Sequence, residues 1–149
     1  MVTKTVYFAH PKLHYDTEFE MDCISVIIEM LTPVGVDIMN SGIEIFNPNQ
    51  AILSKMYKAR KDAGDPDPFE LFREIARAAD IVVGVTFLDG SLGAGVAEEL
   101  VEAKNNNKEV YIIFVNNKTK MFIPFSNLDN YKVLSIEETR TRTNLTKEM

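Results

Sequence analysis

The chain has 149 residues, 46% apolar and 26% charged, which is the composition of one ordinary folded domain and excludes a disordered or fibrous chain. Sixteen basic residues against 22 acidic ones leave a net charge of −6, the opposite of the basic face that a nucleic-acid binder presents. One cysteine, Cys23, rules out an internal disulfide and a thiolate metal cage and points to the cytoplasm, and two histidines without zinc spacing give no metal centre.

Residues 1–4 run straight into residues 5–9 (TVYFA), a β-branched and aromatic run that predicts a first strand ending at His10-Pro11. Thr17-Glu18-Phe19-Glu20 has the form of a capping box. Phe19, Cys23, Val26, Ile27, Met30 and Leu31 then recur at helical spacing until Pro33. Residues 34–46 are expected to hold the second strand, closed by Asn47-Pro48-Asn49, and residues 50–60 a helix. After a loop at 61–68, the stripe Phe69, Phe72, Ile75, Ala76, Ala79 predicts another helix. Residues 81–88 (IVVGVTFL) and 110–115 (VYIIFV) are continuous apolar runs, as strands buried on both faces require. Between them lie a glycine loop at 89–95 and a helix at 96–105. An edge strand is expected at 131–136, and residues 139–149 read as a polar, frayed tail beyond a single domain at 1–138.

No apolar stretch approaches the roughly 18 residues that span a bilayer. The alternation predicts an α/β flavodoxin-like sandwich, with a mostly parallel five-stranded sheet and helices on both faces. Ligands bind beyond the carboxyl ends of such strands, which directs attention to the loops at 9–15, 46–50 and 89–96.

The segment Asp89-Gly90-Ser91-Leu92-Gly93-Ala94-Gly95 lets a backbone approach a ligand closely and opens onto a helix with free N–H groups. It is no dinucleotide fingerprint, because its glycines follow a later strand and Glu98 stands at the third glycine position. At roughly 100° per residue, Val96, Ala97, Leu100, Val101 and Ala103 form the core face of the helix and Glu98 and Glu102 lie opposite it. Glu99 falls at the edge of the apolar arc, near the glycine loop. There it serves either the helix dipole or a pocket at the strand ends. Tyr7 is either packed core or a hydroxyl that orients a carboxylate. His10 and His14 are surface residues or ligand contacts, and Asn47 forms an Asx-turn or touches a ligand.

Val6-Tyr7-Phe8-Ala9, Asn47-Pro48, Ala79-Asp80-Ile81-Val82-Val83 and Asp89-Gly90 resemble the nucleoside 2-deoxyribosyltransferase family. Gly95-Val96-Ala97-Glu98-Glu99-Leu100-Val101-Glu102-Ala103 is similar to the family segment that carries its nucleophile, and Glu99 takes that position. The resemblance covers roughly residues 4–115. It implies that Glu99 attacks the anomeric carbon of a 2-deoxynucleoside, with Tyr7 hydrogen-bonding the nucleophile. It implies a covalent deoxyribosyl-enzyme that a second base resolves, or water in related nucleoside 5′-monophosphate hydrolases. His10, Asn47, Asp89, Gly90, Ser91, Gly93 and Gly95 are the expected substrate contacts. The resemblance implies no cofactor, and an oligomer of at least two copies. Phe72 and Gly93 stand where the family carries aspartates, and Val101 where it carries glycine; Asp89, Glu70 and Glu74 are the carboxylates considered as replacements. A nucleotide-binding module without catalysis is the reading from a different class.

Overall fold

The computed structural model describes residues 4–148, with side chains to residue 142. The lead-in at residues 1–3 and the tail's last residue, Met149, lie outside the described residues. The strands are β1 (Lys4–Ala9), β2 (Ile43–Phe46), β3 (Ile81–Val85), β4 (Glu109–Asn116) and β5 (Thr119–Pro124). The α-helices are α1 (Glu18–Leu31), α2 (Ala51–Asp62), α3 (Glu70–Ala78), α4 (Ala94–Asn105) and α5 (Ile136–Glu148).

The sheet order is β2-β1-β3-β4-β5, with the first four strands parallel and β5 antiparallel at the edge. It is the flavodoxin-like α/β sandwich that the alternation predicts. The pleat divides the core into two layers. Val6 and Phe8 of β1 pack with Val83 of β3 and with Cys23 and Ile27 of α1. Tyr7 and Ala9 point the other way, to Ala76 of α3 and Val96 and Leu100 of α4.

Three expectations are corrected. The second strand is confined to Ile43–Phe46; before it, Ile38–Asn40 is a 3-10 turn, and Gly35 and Gly42 have positive φ, which breaks an extended run. The edge strand is Thr119–Pro124, not residues 131–136. A tight turn with Asn117 at φ 58° folds it back on β4, while Val133 makes only an isolated bridge to Leu92 beside the glycine loop. The polar tail is the helix α5. It is held in place by side chains, because its own composition gives it little apolar face: Thr139 Oγ1 accepts from Ala94 N at 3.0 Å, and Arg142 forks onto Asp89 at 2.9 and 3.1 Å.

Candidate active site

The local sequence explains how the carboxyl of Glu99 comes to face β1. Gly93 is the N-cap of α4, and Ala94 and Gly95 form its first turn. Gly84 of β3 lies under this helix: a Cβ there would stand 2.9 Å from Leu100 Cδ2, so the glycine admits α4 close to the sheet. Glu99 is half-buried, and Glu98, one step round the helix, has a side chain 62% exposed that pairs with Arg73 at 3.2 Å. This is the division that helical phase predicts. Burial lifts Glu99 from its ordinary 4.5 to about 8, opposed by a hydrogen bond from the Tyr7 side chain. Tyr7 is fully buried, and burial followed by the charge of Glu99 holds its phenol well above the usual range.

Glu99 and Tyr7 stand in a cleft of about 750 Å³ at the carboxyl ends of the strands. Gly93 and Gly95 form one side, and a Cβ on Gly95 would meet nothing within 4 Å. Tyr57 of α2 and Phe69 and Phe72 make an aromatic wall, with ring centroids 5.1 to 6.4 Å apart. Lys12 Nζ lies 5.6 Å from the Phe69 centroid, and Ile136, Thr139 and Arg140 of α5 complete the rim.

His10 also borders the cleft, yet its side chain is buried. Its ring stacks on Phe8 at 4.1 Å, Nδ1 donates to Phe8 O at 2.9 Å, and Nε2 lies 2.6 Å from Glu20 Oε2. Since Phe8 O can only accept, Nδ1 carries a proton and one more proton is shared between Nε2 and Glu20. Burial lowers the pKa of His10 from its ordinary value, against the opposing hydrogen bonds to Phe8 O and Glu20. Thr17 Oγ1 caps α1 by accepting from Glu20 N at 3.1 Å, as the capping box predicts. The Glu20 carboxylate turns inward instead of closing the box, to His10 and to Asn49 Nδ2 at 3.2 Å.

Of the expected site residues, Glu99, Tyr7, His10, Gly93 and Gly95 come together around the cleft. Asp89, Gly90, Ser91 and Asn47 do not line it. Asp89 accepts from Arg142 and from Ser91 Oγ at 2.6 Å, and these partners, Arg142 foremost, hold it well below the usual carboxylate range. Gly90 has φ 85° and its α-carbon faces Phe114 and Val115 O, so it serves the turn. Asn47 Oδ1 accepts from Asn49 N, an Asx-turn. Glu70 binds Arg73 and Arg77, and Glu74 binds Arg60, so neither of these carboxylates nor Asp89 faces the cleft. Sequence reasoning did not single out Tyr15, Tyr57, Glu20 or Arg140. Glu20 alone left a signal, as the acid of the capping box.

No protein-family model and no curated protein matches this chain. Among the described residues, no group of three or more His, Cys, Asp or Glu is placed to hold a metal ion, and no helix is long and apolar enough to cross a membrane.

Proposed function

We propose that the chain cleaves the N-glycosidic bond of a 2-deoxyribonucleoside and transfers the sugar to another nucleobase, with Glu99 as nucleophile. The observation that carries this reading is a half-buried carboxyl in a cleft, with one tyrosine hydrogen-bonded to it and an aromatic wall able to stack on a planar base. In the first step a Glu99 oxygen bonds to the anomeric carbon while the C–N bond breaks, its electron pair leaving with the base. In the second, a nitrogen of the incoming base attacks the same carbon, the base's proton passing to solvent, and the ester oxygen departs, returning the carboxylate. Two displacements give retention. Glu99 must be ionised to attack, so burial holds the resting enzyme mostly protonated at neutral pH and turnover rises with pH toward about 8.

The second reading, hydrolysis of a nucleoside 5′-monophosphate, is favoured by Lys12 and Arg140, two exposed cations at the cleft. Assembly into at least a dimer and a cytoplasmic setting belong to the same proposal. Exposed Met30, Val34 and Met39 offer apolar surface for such an assembly.

The test is a screen of 2′-deoxyribonucleosides and their 5′-monophosphates for free-base release, with and without an acceptor base. Base exchange identifies the transferase and release without an acceptor the hydrolase. Glu99→Ala is expected to lose at least about 10³-fold and Glu98→Ala almost nothing. Absence of base release from every compound, or equal activity of the two variants, refutes the proposal.

A further inference from the structure

Two tyrosines, not one, feel the charge of Glu99. Tyr7 is spent on the carboxylate itself, whereas Tyr15 is half-buried on the cleft wall and its hydroxyl engages no hydrogen-bond partner among the described residues. Its ring leans on His10, with centroids 4.9 Å apart at 57°. His10 cannot turn, because Phe8 O and Glu20 hold both of its nitrogens. Tyr15 is therefore a free donor on a fixed support.

Building on the N-glycosidic reading above, we infer that the Tyr15 hydroxyl is the donor that hydrogen-bonds the departing base. As Glu99 bonds to the sugar, its negative charge is quenched and an equal charge appears on the leaving group. A donor already committed to Glu99 cannot follow that charge; an unengaged one beside it can. The other donors at the cleft are placed differently. Arg73 is held by Asp67, Glu70 and Glu98, Thr139 Oγ1 donates to Ser135 O, Lys12, Ser54 and Arg140 are exposed, and Tyr57 is stacked in the aromatic wall. Burial and the nearby charges of Glu99 and Glu20 hold the Tyr15 phenol above its ordinary range, so the proton stays on its oxygen. The C–N bond breaks, its electron pair goes to the base, the hydrogen bond from Tyr15 shortens, and water protonates the released base. Tyr15 thus acts by donation rather than by proton transfer.

The experiment compares kcat/KM of wild type and Tyr15→Phe across leaving groups of graded ability. One series is thymidine, 2′-deoxyuridine and 5-fluoro-2′-deoxyuridine; the other is 2′-deoxyinosine against 7-methyl-2′-deoxyguanosine. The variant keeps the ring against His10. It is expected to lose roughly 10²-fold on the poorest leaving group of a series and less than about tenfold on the best. An equal loss across a series, or no loss, overturns the inference while the wild type's base release leaves the proposed function standing. A wild type that releases no base from either series, nor from any compound of the broader screen, defeats both. Should Tyr15→Phe fail to fold by its melting curve, 3-fluorotyrosine at position 15 replaces it. That more acidic phenol is expected to speed the poorest leaving group, and an unchanged rate overturns the inference.

Discussion

Glu99→Gln removes an ionisable group that the fold holds against its preference, so the variant should be more stable than the wild type, by an amount that depends on pH. In the unfolded chain Glu99 ionises at about its ordinary 4.5, and in the folded protein at about 8. Between those values the native state keeps a proton that the unfolded chain has released. Stability that is fully present below 4.5 is thus lost as pH rises through 8. At about 1.4 kcal/mol per pH unit, the whole loss is on the order of 5 kcal/mol, most of which falls between pH 5 and pH 8. Glutamine copies the protonated carboxyl, can still accept from Tyr7, and does not titrate. Urea unfolding of both proteins at pH 5, 6, 7 and 8 should show the variant's advantage growing steadily by several kcal/mol, or roughly 10 °C in melting temperature for a chain of this size. An advantage that does not change with pH would refute the claim that desolvation keeps this carboxyl protonated, and with it the account of how the proposed nucleophile is held.

Tyr7→Phe removes a donor to the ionised form of Glu99, so the acid limb of the pH–rate profile should move above about 8 and turnover should fall roughly 10- to 100-fold. Melting curves of the same variant should report a loss of only about 1 kcal/mol, because the ring stays in place. Gly95→Val projects a branched side chain into open space in the cleft, so calorimetric titration with any nucleoside that the proposed screen identifies should show binding at least about tenfold weaker, with unchanged melting temperature. Unchanged affinity would mean that the ligand does not lie against the start of α4.

Where side-chain periodicity decides structure, the sequence was readable. The phase of Val96, Glu99 and Leu100 sets Glu99 at the edge of the apolar face of α4, whereas the strand pattern leaves Tyr7 open between core and partner, and the family resemblance alone puts its hydroxyl against Glu99. The strand β5 was not readable, because Thr119 to Pro124 alternates weakly and owes its pairing to a turn with Asn117 in the left-handed region. The helix α5 has almost no apolar stripe and depends on contacts from residues about 45 and 53 positions away, which no local window contains. For the same reason Asp89 looked like a ligand contact: its partner Arg142 lies in the distant segment. The inward turn of Glu20 escaped because a capping box is also the pattern of an acid facing solvent.

The missing side chain at Gly84 sets the height of Glu99 above the sheet, on which the proposed chemistry depends. Leu100, which rests against that glycine, is the next residue after Glu99, so the same turn of α4 carries both. Tyr7 belongs to the strand alongside and would not follow if the helix were lifted. A single methyl group at position 84, a place no ligand reaches, would therefore act as a shim beneath the carboxyl. It would be felt first as altered acidity of Glu99 rather than as a lost contact with substrate.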